Sequence, residues 1–166
     1  SGLILVCGNK NSGKSTTIAS LIKRISSERE CNIITIEDPI EYLFKHDKAI
    51  VNQKEVGIDV SSFIEGISSA VNQDPDVIMV SSIRDTETFS QTLSAAEDGY
   101  LVITTLQTVG SVSTLEYIIN MYPMDKKNYI RARLSYVLQA IISQQLIPGA
   151  EEGKSVLAME IMLANQ

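Results

Sequence analysis

Tryptophan is absent from the 166-residue chain, histidine occurs once and cysteine twice. Six tyrosines and three phenylalanines are the whole aromatic stock, too little for a base-stacking platform. Basic residues are the minority, 14 against 20 acidic, for a net charge of −6. A surface that grips nucleic acid or an anionic membrane needs the opposite balance, so no nucleic-acid partner is expected. No apolar run approaches the roughly 18 residues that span a bilayer. Cys7 and Cys31 make neither a CxxC pair nor a disulfide framework, and read as small apolar side chains in a reducing compartment. No signal peptide precedes the first strand pattern, so the cytoplasm is the expected compartment. The abrupt start at Ser1 reads as a cut from a longer protein.

What the chain does contain is an ordinary globular mixture, 44% hydrophobic and 20% charged, enough for one domain with a sizeable core. Gly2–Cys7 is a short apolar run ending at Gly8, as for a strand buried on both faces. Ile18, Leu21, Ile22 and Ile25 recur at helical spacing over residues 14–27. Asn32–Ile36 is a second strand, and residues 47–59 read as an irregular hairpin. Ser61 or Ser62 caps a helix to about Asn72, with Glu65 at a capping-box offset. Val77–Val80 and Leu101–Thr105 are further strands, separated by a helix over 85–97 that Gly99 closes. Helices over 111–121 and 125–138 follow. Residues 140–147 and 156–163, joined by a turn over 148–153, form a terminal hairpin. Strands alternating with helices imply right-handed crossovers and a mostly parallel sheet in one α/β domain spanning 1–166.

The sharpest motif is Gly8-Asn9-Lys10-Asn11-Ser12-Gly13-Lys14-Ser15, which satisfies GxxxxGK[ST] between a strand and a helix. Glycines let the loop turn until successive N–H groups converge on an anion, and the helix beginning near Gly13 adds its positive end. Lys14 is expected on the β- and γ-phosphates of ATP, the Ser15 hydroxyl on Mg²⁺, and Thr16 near the α-phosphate. Asn9, Lys10 and Asn11 fill the variable positions unusually, but asparagine tolerates left-handed backbone, so the loop can still form. Gly8, Asn11, Ser12, Gly13, Lys14, Ser15 and Thr16 are therefore the expected nucleotide-binding set.

Hydrolysis also needs a carboxylate to activate water. Glu37-Asp38 follows a strand, with Glu41 one turn further on. Asp74 and Asp76 precede their strand and so lie at the wrong end, while its far end carries Ser81 and Ser82. The run Ile34-Thr35-Ile36-Glu37-Asp38-Pro39-Ile40-Glu41 resembles the Asp box of the type II/IV secretion ATPases, hexameric motors of secretion and of type IV pili. Asn52–Gly57, Ile142–Pro148, Asp74–Ile78 with Arg84-Asp85, and Leu157–Glu160 are similar to the pilus-retraction branch of that family.

The resemblance runs from Gly2 to about Ala164, and implies a RecA-like P-loop core without the family's N-terminal PAS-like domain and C-terminal helical tail. It further implies a cytoplasmic motor, peripheral at the inner membrane, that works as a homo-hexamer or mixed ring against a pilus or secretion platform protein. Glu37 would be its water-activating catalytic residue. Departures stand beside the matches. Ser81 and Ser82 occupy the positions of the family's Walker B Gly-Glu, Tyr100 and Gln107 those of two histidines, and Tyr117 that of an arginine. Serine cannot carry a carboxylate's charge, nor glutamine titrate as histidine does. Two functions stay open: a twitching-motility motor that turns ATP hydrolysis into movement, or a nucleotide-binding paralogue with weak or no hydrolysis that partners an active motor. A small-molecule kinase would need an arginine-rich lid, which is absent. His46 reads as a solvated loop residue. Arg84 is either a subunit or nucleotide contact or a surface ion pair, and Arg131 and Arg133 lie on a helix that resembles a family segment or are solvated arginines of an amphipathic helix.

Overall fold

The computed structural model describes residues 1–150 and 154–165. Seven strands form one sheet: β1 (Gly2–Cys7), β2 (Asn32–Glu37), β3 (Ile50–Glu55), β4 (Val77–Val80), β5 (Leu101–Leu106), β6 (Leu138–Pro148) and β7 (Ser155–Leu163). Their order is β3-β2-β4-β5-β1-β6-β7, and every pairing is parallel except β6 with β7. The helices are α1 (Lys14–Glu28), α2 (Phe63–Val71), α3 (Thr86–Glu97), α4 (Ser111–Asn120) and α5 (Lys127–Val137). A 3₁₀ turn over Met124–Lys126 leads into α5, which passes into β6 without a loop.

Strand alternation sorts the core into two layers. Leu3, Leu5 and Cys7 of β1 pack with Phe89 and Leu93 of α3, Ile118 of α4 and Leu134 of α5. Val6, one position out of phase, faces the other way with Ile18 and Ile22 of α1, Ile33, Val77 and Ile103. One helix thus covers the nucleotide-loop face and four cover the reverse, which is the three-layer α/β arrangement. Among the described residues no helix is long and apolar enough to cross a membrane.

The stretch 47–59 departs from the expected hairpin. It supplies one strand, β3, which pairs parallel to β2 from Asn32↔Ile50 to Glu37↔Glu55. After Glu55 the chain turns through Gly57 at φ 89° and makes only an isolated bridge between Val56 and Val60. Ile50 and Val51 have the β-branched character of a strand, but their partner lies 18 residues upstream on β2 rather than across a tight turn. The turn expected over 148–153 falls partly outside the described residues.

Local signals hold elsewhere. Ser62 Oγ accepts from Glu65 N–H (3.2 Å), and Glu65 Oε2 takes the Ser61 N–H (2.8 Å). Asp85 caps α3 by accepting from Thr88 N–H (2.7 Å). Gly66 of α2 lies so close to β2 that a Cβ there would meet Ile36 Cγ2 at 2.7 Å. Gly66→Ala would add ~1 kcal/mol of helix propensity, against ~1–3 kcal/mol for overpacking a well-filled core. Net destabilisation of about 1 kcal/mol is expected, read as a lower urea midpoint. An unchanged or higher midpoint would show that α2 can shift away from β2 at no cost.

Candidate functional site

Parallel strands deliver their C-terminal ends to one edge of the sheet. Gly8 after β1, Glu37 closing β2, Ser81 after β4 and Gln107 after β5 arrive side by side, because Ile36 pairs with Val80 and Cys7 with Leu106. Glu37, Ser81 and Gln107 there line a cavity of about 630 Å³, together with Lys14, Ser15, Thr16 and Ser82 among others.

The loop between β1 and α1 takes its shape from three backbone positions. Asn11 sits at φ 63°, the left-handed region that asparagine tolerates, and Gly13 at φ 87° caps α1. Gly8 has no room for a side chain, since a Cβ would collide with the Gln144 carbonyl and Ser12 Oγ. Lys14 Nζ donates to the carbonyls of Gly8 (2.9 Å) and Asn9 (2.7 Å), so the ammonium is folded back over the loop. Burial pushes its pKa below the ordinary lysine range, opposed in part by the Glu41 carboxylate. A partly desolvated cation gains more from an arriving anion than a hydrated one does.

Glu37 is only 5% exposed, and its Oε1 accepts from Thr35 Oγ1 (2.7 Å) and Gln53 Nε2 (3.0 Å). Ser81 Oγ and Ser82 Oγ are buried and have no hydrogen-bond partner among the described residues. Thr105 Oγ1 donates to the Ser81 carbonyl (2.6 Å), fixing the backbone beneath those hydroxyls. Tyr42 OH and Thr16 Oγ1 share a hydrogen bond of 2.9 Å that ties the segment after β2 to α1.

Of the candidate set, Asn11, Gly13, Lys14, Ser15 and Thr16 line the cavity with Glu37, whereas Gly8 and Ser12 belong to the loop without lining it. Ser12 is buried, and its Oγ has no hydrogen-bond partner among the described residues. Glu41 and Arg84 also line the cavity, and Arg84 pairs with Asp38 at 3.2 Å. His46 lies outside it and its Nδ1 accepts from Val51 N–H (3.1 Å), a tie between the preceding loop and β3. Arg131 bonds Asn128, while Arg133 pairs with Glu97 (2.6 Å) and stacks on Tyr129.

Three positioning side chains escaped the reading of the sequence. Gln144, 1% exposed on β6, donates from Nε2 to the Ser12 carbonyl (2.7 Å) and holds the loop from below. Glu160 on β7 accepts from Ser111 N–H (3.1 Å) and Oγ, and these bonds hold its carboxyl below the ordinary carboxylate range. With the Gly110 N–H to Ser143 Oγ bond (2.8 Å), this pins the turn that carries Gln107. Gln53 is the third. All three lie in segments that resemble the family, Asn52–Gly57, Ile142–Pro148 and Leu157–Glu160, a signal that marks the segment and does not name the side chain's partner.

A glycine-rich loop from a central parallel strand into a helix, with a carboxylate ending another parallel strand at the same edge of the sheet, defines the P-loop NTPase class in its RecA-like form. The family model described as "Type II/IV secretion system protein" matches residues 1–161. The chain therefore belongs to the type II/IV secretion system protein family. It is 42% identical to the twitching motility protein of Neisseria gonorrhoeae over 99% of this chain and 44% of that one. It is 43% identical to the type IV pilus retraction ATPase PilT of Pseudomonas aeruginosa, over 98% and 47% respectively. The crystal structure of the pilus retraction motor PilT with bound ADP superposes with a TM-score of 0.96 at 50% identity, covering 99% of this chain and 48% of that one. The chain spans about half the length of the curated relatives it matches.

Proposed function

We propose that the chain is the nucleotide-binding core of a type IV pilus motor of the retraction kind, coupling ATP hydrolysis to movement. The observation that carries this reading is the meeting of Lys14, Ser15 and Glu37 on one cavity. Loop N–H groups and the Lys14 ammonium bind and orient the phosphates, and Thr16 adds its hydroxyl near the α-phosphate. Glu37 accepts the proton of the attacking water.

The donors present also fit a magnesium ion that keeps most of its water. Ser15 offers a direct hydroxyl, and the unpartnered Ser81 and Ser82 hydroxyls can bond to metal-held water. When bound, magnesium neutralises charge on the β- and γ-phosphate oxygens. The rest of the reading is what the family resemblance implies: a cytoplasmic ring, homo-hexameric or mixed, acting on an inner-membrane pilus platform.

A second reading, nucleotide binding with weak hydrolysis in service of an active motor, is favoured by one feature. Ser82 supplies no negative charge beside the metal position. Both readings are tested by fluorescent-nucleotide titration and steady-state phosphate release on the complete protein, wild type against Ser82→Glu. Wild-type turnover that Ser82→Glu does not raise supports the motor. Binding without turnover, raised about tenfold or more by Ser82→Glu, supports the partner role, since one electrostatic group is worth ~2–4 kcal/mol in a dry site. Absence of nucleotide binding would overturn both.

A further inference from the structure

Gln53 lies on the edge strand β3 opposite Thr35, so Thr35, Glu37 and Gln53 share one face of the sheet. Its amide is committed at both ends. Nε2 donates to Glu37 Oε1 (3.0 Å) and to the Tyr42 carbonyl (2.8 Å), while Oε1 accepts from Phe44 N–H (2.9 Å). Two acceptors and one donor fix which end is nitrogen. Thr35 Oγ1 donates to the same Glu37 oxygen, so both donors take Oε1 and leave Oε2 for a water. Tyr42, held through its carbonyl, reaches Thr16 of α1 through its hydroxyl. One side chain therefore joins Glu37 to the segment 42–44, whose Tyr42 and Phe44 form a cavity wall, and through Tyr42 to the first turn of the phosphate-loop helix.

We infer that Gln53 is a positioning residue for Glu37: it orients the carboxylate and locks it to the 42–44 wall, so that base and wall move as one unit. This rests on the hydrolytic reading above. The two roles folded into one amide, holding the wall and aiming the base, are separable by substitution. Gln53→Glu keeps an acceptor for Phe44 N–H, but has no hydrogen for Glu37 or for the Tyr42 carbonyl at pH 8. It also sets a second carboxylate against the first. Gln53→Ala removes all three bonds. Ile40 N–H, bonded to Glu55 Oε2 (3.0 Å), serves as an internal reference that neither variant touches.

The experiment combines single-turnover phosphate release, mant-ADP titration and amide hydrogen exchange on the complete protein. Both variants are expected to bind mant-ADP within about threefold of wild type, and to release phosphate about 10- to 100-fold more slowly, the usual cost of losing an outer-shell orienting partner. Phe44 exchange should rise in Gln53→Ala and stay protected in Gln53→Glu, with Ile40 unchanged in both. Gln53→Glu releasing phosphate at the wild-type rate would overturn the assignment, because holding the wall would then be all that Gln53 does. A wild type that releases no phosphate would overturn the hydrolytic reading itself, whereas Glu37→Gln releasing it at the wild-type rate would overturn the role of Gln53 alone.

Discussion

Lys14→Ala is expected to weaken ATP and ADP binding about 10- to 100-fold, from the loss of a charge-assisted contact of ~1.5–3 kcal/mol. The fold should survive the change. Lys14 bonds only loop carbonyls, those of Gly8 and Asn9. The loop keeps its other supports, the Gln144 bond to the Ser12 carbonyl and the start of α1. The ammonium is already drawn out of water by burial, so its removal forfeits an interaction that bulk solvent screens poorly. Fluorescent-nucleotide titration measures the loss, and thermal melting without ligand checks that the fold is unchanged. Equal binding by wild type and variant would mean that the loop amides alone hold the phosphates.

Glu37→Gln should separate chemistry from binding. The amide is isosteric, and its oxygen can still accept from Thr35 Oγ1 and Gln53 Nε2, so the wall around it has no reason to move. What disappears is the group able to take a proton from water. Phosphate release is expected to fall ~10²-fold or more, the range for loss of a general base, with nucleotide affinity within about threefold of wild type. Release at the wild-type rate would transfer the role to another carboxylate on the cavity, Asp38 or Glu41. Affinity lost together with rate would instead place Glu37 in binding.

Much of this was legible because it is local. The loop motif, its flanking strand and helix, and the Ser62 cap with its Glu65 partner depend on neighbours within a few positions, and they form as read. Asn11 at φ 63° is the left-handed residue its side chain allows. Glu37 was legible for another reason, since an acid directly after a β-branched run must emerge at a strand end. The misread stretch was 47–59, where nothing local distinguishes a strand that pairs with its neighbour in sequence from one that pairs with β2. Long-range register decides that, and register is set by which face is buried.

By itself the sequence determined the chemistry available: a phosphate loop, an acid closing a strand, and a serine and a glutamine at positions where the family carries a glutamate and a histidine. Those are properties of residue type and spacing, and no packing can alter them. Tertiary structure decided which of them meet. The order β3-β2-β4-β5-β1-β6-β7 brings Gly8, Glu37, Ser81 and Gln107 to one edge although about 100 residues of chain separate the first from the last. It also assigned the supports, Gln53 to Glu37, Gln144 to the loop and Glu160 to α4. A glutamine's partner is chosen by whichever donor or acceptor the fold sets within about 3 Å of its amide, a distance that exists only once parallel strands have been laid side by side.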